Sequence, residues 1–317
     1  MALEILIELF LLVVALIALS FSSNKTLESA EKLSHFFGIS QLTIGFIFIS
    51  ILTSLPELSV AVFSSATGNN NLSLGDLLGS NVTNIALVFG LLVFLSKKDF
   101  VLSRKRTNQI LLYLFMSFVP IILFLDGFLS LIDGLILLVL YIFFLKQILD
   151  SREKTMTFNN IDKRGAGKEF LVLLASIFVV LLSSEFVVES AINIADGLGI
   201  FASFLGATLI AFNTSIPELA LMFSALKKRY TNIAIGNLIG SNVVNITLLL
   251  GLNILINPFS PNTQIGFLVF SFILLSSGFI VYKLLTTGKL SRMEGMALLS
   301  IYALYLLSLT TIQIVLR

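Results

Sequence analysis

The sequence contains one pattern twice, at a constant offset of 161 residues. The segment Thr-Ser-Leu-Pro-Glu at 53–57 recurs as Thr-Ser-Ile-Pro-Glu at 214–218. Gly-Ser-Asn-Val-Thr-Asn at 79–84 recurs as Gly-Ser-Asn-Val-Val-Asn at 240–245. The first segment of each copy places a proline and a glutamate within an apolar stretch, where a buried charge costs several kcal/mol unless it has a partner. The repeat therefore indicates a fold built from two equivalent halves, each carrying a polar break.

Composition places the chain in the membrane class. Hydrophobic residues make up 57% of it and charged residues 12%, a balance typical of polytopic membrane proteins. We predict an all-α polytopic membrane protein with ten transmembrane helices, since ten stretches are apolar and long enough to cross a bilayer. They are 3–23, 39–65, 73–95, 108–125, 129–148, 169–189, 198–226, 231–256, 264–285 and 294–316.

The basic residues sort by side if these spans alternate. All of the 20 Lys and Arg residues except Arg317 fall in or beside alternate connections, beginning with the one between spans 1 and 2. The positive-inside rule places those connections in the cytoplasm. We therefore expect a multi-pass protein of the plasma membrane, with both termini extracellular and the lipid bilayer as its partner. We expect no nucleic acid and no obligate protein partner.

The repeat covers most of the chain. Its offset runs without a gap from residues 28–90 to 189–251 and still aligns Tyr141 with Tyr302. Each copy holds five spans, and an odd number makes the second copy cross the membrane in the opposite sense, which is the inverted-repeat architecture of secondary transporters. The expected domains are a first five-helix repeat (1–150), a cytoplasmic linker (151–168) and a second, inverted five-helix repeat (169–317). The segment that carries the repeated motifs spans about 39–95 in the first repeat and about 198–256 in the second.

The prolines of the repeated segment predict broken helices. Pro56 and Pro217 each remove an intrahelical hydrogen bond, and in lipid the freed carbonyl groups need partners inside the protein or around a cavity. A structural kink is the alternative for a single proline. Two equivalent prolines, each followed by glutamate, favour a site.

Glu57 and Glu218 are the centre of that predicted site. An inverted repeat brings equivalent positions close together near the bilayer midplane, and two close carboxylates repel unless a cation lies between them. A hard divalent ion such as Ca²⁺ takes six to eight oxygen ligands, and Thr53, Thr214 and the opened backbone offer oxygens beside the glutamates. A proton-carrying pair, or a buried hydrogen-bonded pair without metal, remains the alternative.

The second repeated segment adds neutral polar groups. Its serine and asparagine are four residues apart and so share a helix face, which makes four residues candidate ligands: Ser80, Asn84, Ser241 and Asn245. Asn81 and Asn242 are equally suited to hydrogen bonds between helices. The chain has no cysteine and its single histidine, His35, lies in a connection, so thiolate and imidazole metal sites are excluded. We expect no cofactor.

These four segments resemble the two alpha-repeats of the cation/calcium exchanger superfamily, and specifically its prokaryotic sodium/calcium exchanger branch. The resemblance covers essentially the whole chain. It implies that Ca²⁺ is bound by Thr53, Glu57, Thr214 and Glu218. It also implies that Na⁺ uses the same glutamates together with other hydroxyl and carbonyl groups, and that two asparagines complete the central site. Those further residues are Ser50, Ser80, Ala211, Ser215 and Ser241 for Na⁺, and Asn84 and Asn245 for the centre.

The sequence departs from the family pattern in three ways, at four positions. The glycine that usually precedes Thr-Ser is Leu52 in one repeat and Asn213 in the other, and Ser50 replaces a common alanine. Asn245 stands where many relatives, including the potassium-dependent branch, carry aspartate, which argues against K⁺ co-transport. The resemblance implies alternating access, in which spans 1 and 6 slide against the rest.

The sequence thus predicts a secondary antiporter that exchanges Na⁺ for Ca²⁺, and not an enzyme. The alternative is a Ca²⁺/H⁺ antiporter on the same fold, with the glutamates carrying protons. Hydroxyl groups favour Na⁺, because a proton does not need them. An ion channel is less favoured, since no filter motif is present, and an intramembrane protease lacks the His-Glu-x-x-His motif.

Overall fold

A computed structural model provides the structure of the chain. It describes the following residues, to which all structural statements refer: 2–66, 68, 70–96, 99–101, 104–150, 163–197, 212, 214–228 and 230–315. Ala211 and Asn213 lie outside the described residues, as does most of the predicted linker.

The first half of the chain is a series of helices, several of them interrupted. It contains four single helices and two composite ones that change from α-helix to π-helix and back. The elements are α1 (Ala2–Phe37), α2 (Gln41–Ile44), π1 (Gly45–Ile49), α3 (Ser50–Thr53), α4 (Leu55–Ala66), α5 (Asn70–Val82), π2 (Thr83–Phe89), α6 (Gly90–Leu95), β1 (Phe100–Val101), α7 (Arg104–Leu123) and α8 (Leu131–Asp150).

The second half follows the same order where it is described. The elements are α9 (Lys163–Gly197), α10 (Ile216–Lys228), α11 (Thr231–Val243), π3 (Val244–Leu249), α12 (Leu250–Ile256), α13 (Thr263–Thr287), β2 (Lys289–Leu290) and α14 (Arg292–Val315). The segment π3 begins 161 residues after π2, so the repeat extends to the winding of the helix.

The apolar helices agree with a membrane protein. Seven described helices are long and apolar enough to cross a bilayer, and the pair 41–53 and 55–66 makes an eighth if it is one bent span. In α7 the apolar part is shorter, Ile110–Leu123, and the predicted seventh span at 198–226 lies largely outside the described residues. The count of ten therefore stays a prediction. Helix α9 begins at Lys163, so residues 163–168, which we predicted as linker, are helical.

The chain divides into two compact units that do not coincide with the two repeats. The first unit comprises residues 1–53 and 151–237, and the second comprises 54–150 and 238–317. Each unit therefore takes a segment from each half of the chain. The repeats are units of sequence, and their proposed boundaries stay a prediction.

The core of the first unit lies between α1, α9 and α10. Its buried residues come from both halves of the chain and include Leu27, Leu33, Leu173, Ile177 and Leu221. Polar contacts flank this core: Lys32 Nζ lies 2.8 Å from Glu169 Oε1, and Lys228 forms an ion pair with Glu28. These contacts join connections that the charge pattern assigns to one side of the membrane.

Two glycines allow close helix approach in the first unit. A Cβ atom at Gly45 would overlap the Ile233 carbonyl oxygen, and a Cβ atom at Gly236 would overlap the carbonyl oxygen of Leu42. The composite helix 41–53 and α11 therefore cross backbone to backbone, as small residues permit in membrane proteins.

The second unit contains two glycine-lined helix contacts that are repeat equivalents of each other. A Cβ atom at Gly134 of α8 would lie 3.1 Å from Gly251 O of α12, and one at Gly90 of α6 would lie 3.5 Å from Gly295 O of α14. Gly295 is the repeat equivalent of Gly134, and Gly251 is that of Gly90. The last helix of each repeat thus packs on the third span of the other, which is the reciprocal contact of a two-fold relation.

The caps of these two helices are also equivalent. Asp133 Oδ2 accepts a hydrogen bond from Ser130 N at 2.7 Å, and Glu294 Oε2 accepts one from Ser291 N at 2.8 Å. A Ser-x-x-Asp or Ser-x-x-Glu pattern is a capping box, in which side chains satisfy the first amide groups of a helix. The local capping motif therefore marks the first residue of both helices.

The connections of the second unit form two pairs, one on each predicted face of the membrane. Strands β1 and β2 are antiparallel, and Lys289 Nζ lies 2.6 Å from Asp99 Oδ2; this carboxylate raises the pKa of Lys289. Leu129 and Phe259 form a separate antiparallel bridge. Each pairing joins two connections that alternating spans assign to the same face, as the predicted topology requires.

We expect Gly236→Ala to destabilise the protein by about 1–3 kcal/mol, because overpacking a tight helix crossing forces backbone shifts. The matched control is Gly278→Ala in α13, where a Cβ atom would meet nothing within 4 Å. Thermal unfolding of both purified variants in detergent checks this. Equal unfolding temperatures for the two variants would contradict the close crossing.

Candidate ion-binding site

The two repeated prolines lie just after a break in the helix. Residues 41–53 and 55–66 meet at Ser54 with a bend of 43°. Leu58 N donates to Ser54 O at 3.0 Å, and Leu219 N donates to Ser215 O at 3.1 Å, so both breaks close in the same way. Each proline is the second residue of its new helix, a position where its missing N–H would have no intrahelical partner. The proline thus starts a helix and does not kink its interior.

Both glutamates occupy the first turn of the helix that follows the break. Glu57 is 0% exposed and Glu218 is 1% exposed, and they lie in the first turns of α4 and α10. The positive end of a helix dipole favours a carboxylate there. Complete burial of a carboxylate remains costly without further compensation. This arrangement suits a group that binds a cation.

Hydroxyl groups lie immediately before the first break. Ser50 Oγ donates to Phe46 O, and Thr53 Oγ1 donates to Asn237 Oδ1 at 3.1 Å. Both side chains are 0% exposed. A hydroxyl group has one donor proton and two acceptor lone pairs, so groups of this type are suited to contact a cation.

The asparagines of the second motif are buried in the second unit. Asn84 and Asn245 are each 0% exposed, and the side-chain nitrogen and oxygen of both have no hydrogen-bond partner among the described residues. Buried amides are nearly always hydrogen-bonded. Two such amides at repeat-equivalent positions indicate a site for a polar ligand.

Asn84 and Asn245 lie in the π-helical segments π2 and π3. π-Helical turns within α-helices are rare and occur frequently at functional sites. The winding changes at Thr83, between Ser80 and Asn84, so the simple α-helical face that we expected for this pair does not describe the segment. Ser80 and Ser241 are nevertheless fully buried, at 0% exposed.

The first asparagine of the motif has a structural role. Asn81 Nδ2 donates to Asn242 O at 3.0 Å, so a side chain of one repeat binds the equivalent backbone of the other. The structure therefore shows the contact between helices that the sequence left as one alternative.

The predicted ligands divide between the two compact units, each of which holds one glutamate. The first unit holds Ser50, Thr53, Thr214, Ser215 and Glu218, and the second holds Glu57, Ser80, Asn84, Ser241 and Asn245. Ala211 lies outside the described residues. The approach of the two sets to each other stays a prediction. Across the described part of the chain, no group of three or more His, Cys, Asp or Glu residues is placed to hold a metal.

Sequence reasoning noted Asn237 only as the repeat partner of Asp76 and did not predict its contact with Thr53. Asn237 is 1% exposed, and its Oδ1 accepts a hydrogen bond from the Thr53 hydroxyl. Its repeat equivalent is Asp76, which is also buried, at 3% exposed. An equivalent pair of polar residues one turn before the Gly-Ser-Asn motif was the available signal, but the partner of Asn237 depends on the helix crossing.

The chain is similar to proteins of known family. Residues 7–147 and 168–311 match the family described as sodium/calcium exchanger protein. An uncharacterised membrane protein of Methanocaldococcus jannaschii is 32% identical over 298 residues, covering 93% of this chain and 95% of that protein. The sodium/calcium exchanger MaX1 of Methanosarcina acetivorans is 27% identical over 352 residues, covering 96% of this chain and 99% of that protein.

A solved structure has the same fold. The sodium-calcium exchanger NCX_Mj, soaked with 10 mM Na⁺ and zero Ca²⁺, superposes with a TM-score of 0.84 at 27% identity, covering 96% of this chain and 99% of that one. The family match extends over both repeats and includes both pairs of motifs. The chain belongs to the sodium/calcium exchanger family of membrane transporters.

Proposed function

We propose that the chain exchanges Na⁺ for Ca²⁺ by alternating access at a midplane site built around Glu57 and Glu218. The observation that carries this proposal is the equivalent placement of the two carboxylates. Each is fully buried and lies in the first helical turn after a break. Two equivalent glutamates in an apolar helical protein are expensive to keep without a cation.

The neutral groups support the choice of ions. Thr53 and Ser50 contribute buried hydroxyl oxygens, and Asn84 and Asn245 have amide groups that require partners. Ca²⁺ needs more oxygens than two carboxylates supply, and the same hydroxyl and amide oxygens suit Na⁺ but are unnecessary for H⁺. The relatives named for sodium/calcium exchange, MaX1 and NCX_Mj, agree with this choice.

The site also accounts for obligatory exchange. With a cation bound, the carboxylate charges are neutralised, and the occluded state between the two faces is stabilised. Without one, the site carries two buried negative charges that no cation offsets, and burial of charge in a medium of low dielectric constant costs several kcal/mol. Crossing of the empty site is therefore disfavoured, and one ion must replace the other.

We further propose ten membrane spans in the plasma membrane, with both termini outside and the linker in the cytoplasm. Two pairs of connections in the second unit support this arrangement, because the Asp99–Lys289 contact joins two loops of one predicted face and the Leu129–Phe259 bridge joins two loops of the other. The basic residues in the loops of Asp99 and Lys289 assign that face to the cytoplasm.

We expect Glu57→Gln and Glu218→Gln each to reduce Na⁺-driven Ca²⁺ uptake to the level of protein-free vesicles, because each removes one carboxylate charge from the site. The assay is ⁴⁵Ca²⁺ uptake into proteoliposomes loaded with Na⁺. Asp126→Asn is the control, since it removes an exposed charge and keeps the oxygen that accepts from Phe128 N. Uptake near the control value in either glutamine variant would refute the site.

The same vesicles test the coupling ion. We expect Ca²⁺ uptake with an outward Na⁺ gradient and none with an outward H⁺ gradient of equal size, because the hydroxyl and amide oxygens of the proposed site serve Na⁺. Uptake driven by H⁺ alone would establish the alternative, a Ca²⁺/H⁺ antiporter. Uptake without either gradient would instead indicate a channel.

Single cysteines test the topology, because the natural chain contains none. Ser260→Cys and Val101→Cys introduce thiols at exposed positions on opposite predicted faces. We expect a membrane-impermeant maleimide to label Ser260→Cys in right-side-out vesicles and Val101→Cys in inside-out vesicles. The reverse pattern would invert the orientation, and labelling of both from one side would exclude five crossings between them.

A further inference from the structure

A small cavity with four polar residues in an otherwise apolar wall lies beside the Gly-Ser-Asn motif, within the second unit. Its volume is about 30 Å³, and Asn84, Asn242, Tyr113 and Ser277 line it. The remaining wall is apolar and consists of Ile85, Phe89, Ile110, Leu238, Ile239 and Ile280. A buried water needs about 10–15 Å³ and two to four polar partners, so the cavity has room for one or two.

The polar groups of this cavity need such partners. The four residues are each 0–1% exposed. Asn84 Nδ2 and Oδ1, Asn242 Oδ1, Tyr113 Oη and Ser277 Oγ form no hydrogen bond of normal geometry with the described residues, although Tyr113 Oη lies close to the side chains of Ser117, Ser277 and Asn81. Leaving buried polar atoms unsatisfied is costly.

The ligand of this cavity is uncharged. None of its described lining residues carries a charge, and an ion without a counter-charge in an apolar surrounding is very costly. Water satisfies both donors and acceptors, whereas Na⁺ would leave the Asn84 amide protons without an acceptor.

We propose that this cavity is a water site and that Tyr113 and Ser277 act through its water as positioning residues for Asn84. The water accepts a hydrogen bond from Asn84 Nδ2 and is itself held by the tyrosine and serine hydroxyls. The Asn84 amide is then turned so that its carbonyl oxygen, and not its NH₂ group, faces the transported cation. This inference rests on the proposed role of Asn84 in the ion site.

Tyr113→Phe tests the proposal, because it removes only the hydroxyl. We expect the Ca²⁺ concentration that gives half-maximal thermal stabilisation to rise about 2- to 13-fold, the range that corresponds to one hydrogen bond of 0.5–1.5 kcal/mol. Tyr141→Phe is the matched control. The Tyr141 hydroxyl is also buried without a hydrogen-bond partner among the described residues, but Tyr141 does not line this cavity. An equal effect of the two substitutions would overturn the proposal.

A double-mutant cycle separates positioning from general damage. Asn84→Asp presents an oxygen to the cation whichever way the side chain turns, so Tyr113→Phe should change Ca²⁺ affinity less than twofold in that background. The same fold-change in both backgrounds would refute positioning. If instead wild-type vesicles show no Na⁺-driven Ca²⁺ uptake while this coupling persists, the proposed exchange fails and the water site stands.

A crystal structure of the wild-type protein provides an independent readout that does not depend on binding. We expect density for one or two waters within hydrogen-bonding distance of Tyr113 Oη and Ser277 Oγ, and its loss in Ser277→Val, which fills the cavity with a methyl group. No density in the wild type, or density with the coordination of Na⁺, would overturn the assignment.

Discussion

The constraint on which this structure depends is that polar groups inside an apolar protein must find partners within it. Each broken helix creates carbonyl groups without an intrahelical donor, and each carries a carboxylate in its next turn. Helix dipoles, neighbouring hydroxyls and buried amides compensate part of that cost. In the proposed exchange site, a cation supplies the rest.

The two copies of the repeat meet this constraint in the same way, because equivalent residues make equivalent contacts. The Gly134–Gly251 and Gly90–Gly295 approaches are reciprocal, as are the capping boxes at the start of α8 and α14. The two halves are not identical beside the proposed ligands. Asn237 accepts a hydrogen bond from the Thr53 hydroxyl, whereas the repeat equivalent of Asn237 is the ionisable Asp76.

Much of the fold followed from local pattern. Apolar length predicted the helices, and the capping motifs mark where α8 and α14 begin. The repeated Pro-Glu segments predicted the breaks, although the proline proved to begin a helix after a break at Ser54 and Ser215. Within the site, the burial of Glu57, Glu218, Asn84 and Asn245 was as expected. These features depend on residues that are neighbours in the chain, and for this reason they could be predicted from one sequence.

Other features depend on contacts between distant residues. The bond from Thr53 to Asn237 and the cavity behind Asn84 have no local signal, because each arises where segments from opposite halves of the chain pack together. The π-helical winding around Asn84 and Asn245 was also not predicted. The sequence by itself determined the repeat, the broken helices and the residue types of the proposed ion site, since hydrophobic length, proline and charge act locally. Tertiary structure alone decided which side chains orient those residues, because that orientation is set by packing between segments far apart in the chain.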